Sequence, residues 1–190
     1  MSGWSHRAIE MKHLTLRSRK RGQSLAEMAV VIPVLMFLLM GGFDATVMIS
    51  DKITAGYAVR QGARLAAELG GSQTNPNTTT AQVDQQILRN VLAVARGLTS
   101  ATPTEIDIYA PSRADGSYTP GDPIDQYFIS AGTPSAGTQT FPIQNRNQTP
   151  PNETSIGVRI LWTYSPPAGI FPSNMQLIDY AVMKAAPLLV

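Results

Sequence analysis

The stretch GQSLAEMAVVIPVLMFLLMGGF, residues 22–43, decides the fold. Its apolar part, Met28–Phe43, carries no charged side chain, and one carboxylate, Glu27, comes directly before it. A membrane-spanning helix needs about 20 apolar residues, so the span must include a few residues on each side, with Glu27 and Asp44 near the two membrane faces. The stretch therefore predicts one membrane-spanning helix, and the rest of the chain is carried by it.

The residues before this stretch form a basic leader. Residues 1–22 hold six of the 15 Lys and Arg residues but only one of the 13 acidic residues. By the positive-inside rule, this asymmetry places the N-terminus in the cytoplasm and the remaining chain outside it. The basic charge is thus a topology signal, and we expect no nucleic-acid partner.

Three kinds of N-terminal segment fit a basic leader followed by an apolar helix. An ordinary signal peptide is cleaved after small residues, and the available site after Ala45 is preceded by Phe43 and Asp44. An uncleaved anchor needs no further motif, so it does not explain why Gly22 and Glu27 occur at this spacing. The third kind of segment rests on that pair.

A basic leader that ends in Gly22, followed five residues later by Glu27, resembles the class III signal of type IV pilins. The run RGQSLAEMAVVIP, residues 21–33, is similar to one branch, the TadE-like pseudopilins of tight-adherence (Flp-type IVb) pilus systems. The matching positions are Arg21, Gly22, Glu27 and Pro33. AVRQGARLAA, residues 58–67, and YAVMKAAP, residues 180–187, also resemble parts of that family.

The resemblance implies roles for three residues at the start of the helix. A prepilin peptidase would cleave between Gly22 and Gln23. The carboxylate of Glu27 would then pair with the new α-amino group of Gln23 on a neighbouring subunit, which sets the axial register between subunits. The alternative is that the Glu27 side chain extends to the lipid headgroups.

The resemblance also implies a minor pilin or pseudopilin, because the chain has Glu27-Met28 where major Flp pilins have Glu-Tyr, and because it is much longer than they are. The expected partners are other pilin-like subunits, the prepilin peptidase, inner-membrane platform proteins and membrane lipid. The expected location is the bacterial inner membrane, single-pass, with possible incorporation into a surface pilus. The other reading of the chain is an uncleaved anchor that presents an extracytoplasmic binding domain.

Beyond Phe43 the helix is expected to continue to about Leu69, before Gly70-Gly71. Small and apolar residues recur there every three or four positions, which places them on one helix face. This face suits close packing against another helix or a sheet, either between subunits or in the core of the domain. Its members are Ala55, Val59, Gly62, Ala66 and Leu69.

The sequence thus divides into a leader (1–22), the helix with its extension (23–71) and an extracytoplasmic α+β domain (72–190). In that domain Thr79 and Gln82 predict a capping box at the start of a second helix. Alternating patterns predict strands at 105–110, 155–164 and 177–186, which form a small, mostly antiparallel sheet. The remaining residues 111–154 are expected to be a long, partner-facing loop with one short strand near 127–130.

Nothing in the sequence predicts catalysis or a cofactor. There is no cysteine, glycine-rich phosphate loop, GxSxG or HExxH motif. Glu105 and Asp107 share one strand face. In a membrane-tethered hydrolase, the enzymatic alternative, these two carboxylates would have to lie in a cleft. We expect them to face solvent instead. Calcium could be held by three carboxylates that otherwise form turns, those of Asp115, Asp122 and Asp125.

Overall fold

The computed structural model describes residues 7–69, 71, 77–149 and 151–186, with side chains described from residue 23 onward. The elements are two helices, five strands and a short 3-10 turn. They are α1 (Arg7–Leu69), α2 (Thr80–Ala95), β1 (Ala101–Tyr109), β2 (Ile124–Ser130), β3 (Thr133–Gln139), the 3-10 turn (Ile143–Asn145), β4 (Ser155–Tyr164) and β5 (Met175–Lys184). The chain forms two compact units, residues 1–43 and 44–190.

The apolar part of α1 is the one helix in the described residues that is long and apolar enough to cross a membrane. Pro33 lies inside α1 without ending it. The large apolar side chains between Leu25 and Phe43 are exposed, as they must be in a helix whose surroundings are lipid. These features are compatible with a single-pass membrane anchor.

The strands of the C-terminal unit form one sheet in the order β3-β2-β1-β4-β5, and every neighbouring pair is antiparallel. The predicted α+β class is therefore confirmed. Strand β4, which lies between β1 and the edge strand β5, has the predicted bounds. Its inward side chains are fully buried, as expected for a strand in which apolar and polar residues alternate. These side chains are Ile156, Val158, Ile160, Trp162 and Tyr164.

The core of this unit lies between one face of the sheet and the two helices. The extended part of α1 contributes small residues, among them Ala55, Ala58 and Ala66, and α2 contributes larger ones such as Ile87 and Val91. The predicted capping box starts α2, since Thr79 and Gln82 each accept a hydrogen bond from the other's backbone N–H. Small residues on α1 allow close approach, so α2 and the sheet supply most of the buried volume.

Residues 111–154 differ from the predicted long loop. They contain two strands, β2 and β3, which form a hairpin joined by the two-residue turn Ala131-Gly132. Both turn residues have positive φ, 49° and 76°, as the twist of a tight hairpin requires. The prediction missed β3 because this edge strand is almost wholly exposed and so has no apolar alternation.

Two glycines of α1 make a matched test of how closely the helix packs. A Cβ at Gly62 would lie 2.4 Å from Val91 Cγ2 and 3.2 Å from Val158 Cγ1, whereas a Cβ at Gly56 would meet nothing within 4 Å. Alanine favours a helix over glycine by up to about 1 kcal/mol, and overpacking a core costs about 1–3 kcal/mol. We predict that Gly56→Ala stabilises the protein and Gly62→Ala destabilises it.

The measurement is urea unfolding of the full chain in detergent micelles, followed by the fluorescence of the buried Trp162. Equal shifts of the unfolding midpoint for the two variants would contradict the packing described for α1.

Candidate functional site

Gln23 and Glu27 lie one helical turn apart at the start of the apolar part of α1. The Gln23 Nε2 atom donates a hydrogen bond to Glu27 Oε1 at 3.2 Å, and both side chains are exposed. The Glu27 carboxylate can therefore accept further hydrogen bonds or a cation from outside this chain. Gly22 also lies within α1, but its surroundings are outside the described side chains.

The predicted packing face of α1 lies inside the subunit. Ala55, Val59, Gly62 and Ala66 are buried, and Leu69 is half-buried against the same core. The closest neighbours of Gly62 come from α2 and β4. Because this face is covered by the chain's own domain, it is not available to a neighbouring subunit.

A different face of α1 is open. Ile49, Ile53 and Tyr57 lie four residues apart and are 57%, 68% and 52% exposed. Residues at this spacing stack along one side of a helix. Between residues 49 and 57 this open face is therefore apolar, whereas the exposed residues that follow it on α1, Arg60, Arg64 and Glu68, are charged.

Two buried carboxylates of α1 bind backbone amides of the domain. Asp44 accepts hydrogen bonds from the N–H groups of Ala168 (2.7 Å) and Ile170 (2.9 Å). Asp51, two turns later, accepts them from Thr99 (2.7 Å) and Ser100 (2.9 Å). Neither carboxylate has any exposed area.

From the sequence, Asp44 is expected only near a membrane face, and Asp51 has no expected role. No side-chain motif marks these contacts, because their partners are backbone N–H groups. The one signal in the sequence is that Asp44 and Asp51, two turns apart, have no basic partner in their own helix. Each carboxylate must therefore find its partner elsewhere in the chain.

A second buried group joins three elements of the C-terminal unit. Arg146, after the 3-10 turn, lies 2.8 Å from Asp84 of α2 and 3.1 Å from Asp125 of β2, and all three side chains are almost fully buried. The contact with Asp84 is an ion pair rather than an aligned hydrogen bond. Asp84 also accepts a hydrogen bond from the Tyr127 hydroxyl at 2.8 Å, and Asp125 accepts one from the Phe141 N–H at 2.9 Å.

Two carboxylates share one guanidinium in this group, which we call the Arg146 cluster (Asp84, Asp125, Arg146). Burial raises the pKa of Asp84 to about 6, although Arg146 and Tyr127 act in the opposite direction. The cluster holds α2, β2 and the segment after β3 together, and it lies wholly inside the domain.

The opposite face of the sheet carries a further charged group. Arg159 of β4 pairs with Asp107 and lies 3.6 Å from Glu105, and its guanidinium stacks 3.9 Å from the ring centre of Tyr118. Asp107 is buried, and burial raises its pKa to about 7. The expectation that Glu105 and Asp107 face solvent is therefore wrong, because the loop that carries Tyr118 covers this face.

The three carboxylates considered for calcium are engaged within the chain. Asp115 accepts hydrogen bonds from the N–H and hydroxyl of Ser117, and Asp122 accepts one from the Thr119 N–H. Asp125 belongs to the Arg146 cluster. In the described part of the chain, no three His, Asp or Glu side chains come together as a metal site.

Comparison with known proteins finds a similarity in the N-terminal part of the chain. Residues 22–64 match the model of a family described as TadE-like protein. This match confirms the resemblance to TadE-like proteins of Tad pilus systems over those residues, which are less than half of the chain. The family is structural and pilus-associated, and it is not known to be enzymatic. No curated protein and no solved structure matches the chain significantly.

The anchoring carboxylates can be tested on one helix. We predict that Asp51→Ala lowers the free energy of unfolding by about 2–4 kcal/mol, because the N–H groups of Thr99 and Ser100 lose the charged acceptor that holds them against α1. The control is Glu68→Ala, since Glu68 is exposed and forms a surface ion pair with Arg64 one turn away. That change should cost less than about 0.5 kcal/mol. Similar costs for the two variants, measured by urea unfolding, would contradict the role of Asp51.

The Arg146 cluster predicts a pH dependence. The folded-state pKa of Asp84 lies above its unfolded value, so the folded protein binds the proton more tightly and this group adds stability as the pH falls from about 7 to 4. Asp84→Asn removes this contribution. The difference in unfolding free energy, wild type minus variant, should therefore increase in favour of the wild type as the pH falls through 6. A difference that stays constant between pH 7.5 and 4.5 would contradict the raised pKa.

Proposed function

We propose that the protein is a minor pilin or pseudopilin, a structural component of a Tad/Flp-type pilus and secretion system. The observation that carries this proposal is the family match that begins at residue 22 and includes Glu27 at the head of an exposed apolar helix. In this proposal a prepilin peptidase removes the basic leader between Gly22 and Gln23. Glu27 is then the fifth residue of the mature chain.

The chemistry of this site supports assembly with other subunits. Cleavage before Gln23 creates an α-amino group, which is a cation, on a chain whose nearest carboxylate is exposed. When such helices leave lipid and pack together, an unpaired carboxylate in apolar surroundings is very costly. Glu27 then needs a cationic partner, and the Gln23 amino group of a neighbouring subunit supplies it. The pair fixes how far one helix is displaced along the next.

The exposed surface of α1 also supports helix packing between subunits. The core-facing side of the extension is already covered by the domain, whereas Ile49, Ile53 and Tyr57 remain open. A neighbouring pilin-like helix would cover this apolar face. In the extracytoplasmic part of α1, packing of a neighbouring helix on Ile49, Ile53 and Tyr57 would bury the most apolar surface.

The basic leader supports the orientation in the membrane. With the leader in the cytoplasm, the C-terminal unit lies outside the bacterial inner membrane, and the platform proteins of the pilus machine meet the chain from the inner side. Several buried carboxylates of the described domain bind backbone amides, an arginine or a tyrosine and so hold the fold together. This arrangement suits a rigid structural subunit.

The proposal is tested with Glu27→Ala in the native host. We predict that the variant still enters the membrane but is recovered with other pilin-like subunits at least about tenfold less often, because the partner amino group is left without its counter-charge. Glu68→Ala, which removes an exposed acid from the same helix, is the matched control and should assemble normally. Normal recovery of Glu27→Ala with its partners would contradict the proposal.

A further inference from the structure

A groove of about 710 Å³ lies between α2 and the β2–β3 hairpin. One side is formed by Gln85, Arg89, Leu92 and Arg96, which follow one another at spacings of four, three and four residues along a single face of α2 and its C-cap residue, Arg96. The other side is formed by the end of β2, the hairpin turn and the start of β3. No residue of the predicted pilin motif or of the Arg146 cluster lines it.

The charge of the groove comes from two arginines with no acidic partner in the described chain. Arg89 and Arg96 are exposed, and neither lies within ion-pair distance of a described carboxylate, whereas Arg64, Arg146 and Arg159 all do. Most acidic side chains of the domain are buried and already bound. The groove therefore presents positive charge although acidic residues outnumber basic ones after residue 22.

The floor of the groove between the arginines is apolar. Leu92 and Ile129 are half-buried there, and Pro103 and Pro134 complete the surface. A second, polar depression continues along α2 from Arg89 and is lined by amide side chains, including those of Gln82 and Gln86. The groove thus offers, in order along the helix, hydrogen-bonding amides, a cation, an apolar surface and a second cation.

We propose that this groove binds an acidic peptide segment of a partner protein. Arg89 and Arg96 are separated by seven residues, which is about 10 Å along a helix. In a polyproline II peptide, carboxylates on every third residue are about 9 Å apart on one edge, with apolar side chains between them. Such a segment matches both cations and the apolar floor, and the amides bind its backbone.

The alternatives fit the groove less well. A phosphate or a nucleic acid backbone would pair with Arg89 and Arg96, but it would place charged groups on the apolar floor of the groove. A purely apolar segment would bury the floor but would remove water from two guanidinium groups without pairing them, which is costly. The inference does not depend on leader cleavage or on Glu27, so it stands or falls separately from the proposed function.

The probe is a fluorescein-labelled peptide of three Glu-Pro-Leu repeats, added to the full chain in zwitterionic detergent micelles. We expect saturable binding that weakens with added salt. Arg89→Gln and Arg96→Gln should each weaken binding about fivefold. Arg113→Gln removes an exposed arginine outside the groove and should leave binding unchanged. Matched peptides of Gln-Pro-Leu and Lys-Pro-Leu repeats should bind at least about tenfold more weakly.

A change at the exposed Ala93, which lies in the groove between the two arginines, gives the sharpest comparison. In Ala93→Glu a carboxylate is placed four residues after Arg89 and three before Arg96, so it pairs with both within the helix. This variant should abolish binding of the acidic peptide, while Ala93→Gln, of the same size, should weaken it much less.

Both variants alter an exposed helix position, so thermal unfolding should stay near that of the wild type and confirm that the fold is intact. Three results would overturn the inference: no saturable binding of the acidic peptide at millimolar concentration, equal binding of the acidic and basic peptides, or equal effects of Ala93→Glu and Ala93→Gln.

Discussion

The C-terminal unit depends on α1 being held against the domain by two buried carboxylates. The Asp44 and Asp51 carboxylates each accept two hydrogen bonds from backbone N–H groups of segments more than 45 residues away in sequence. The Tyr164 hydroxyl adds a hydrogen bond to the Asp44 carbonyl oxygen at 2.8 Å. Between Met28 and Phe43 the exposed side chains of α1 are apolar, and from Asp44 onward its buried ones are small or bind amides. One helix thus has an exposed apolar part and a part that packs in the core of the domain, with the change at residue 44.

The same logic explains how the domain uses its charges. The Arg146 cluster and the Arg159 group bury four carboxylates between them wholly or in large part, on opposite faces of the sheet. Buried ion pairs add little net stability compared with apolar packing, but their directional contacts favour one arrangement of the elements. Because these acids lie inside, the arginines of α2 dominate the exposed groove beside the hairpin.

Much of this could be predicted where the signal is local. The long apolar helix, strand β4 and the Thr79–Gln82 capping box each follow from the composition or spacing of one continuous stretch of sequence. The Gly22–Glu27 motif is also local, so the candidate site was found from the sequence.

The remainder depends on contacts between distant segments. The sequence around Arg146 does not indicate that its partners are Asp84 and Asp125. The partners of Asp44 are backbone N–H groups, which nearly every residue type has, so no sequence pattern marks them. Strand β3 was missed because an exposed edge strand has no alternating apolar pattern.

The intact mass of the chain extracted from the membranes of its native host tests most directly whether the protein is processed as a pilin. We expect a mature chain that begins at Gln23. A chain that retains its basic leader, or a soluble one that begins near Thr46, would contradict this expectation.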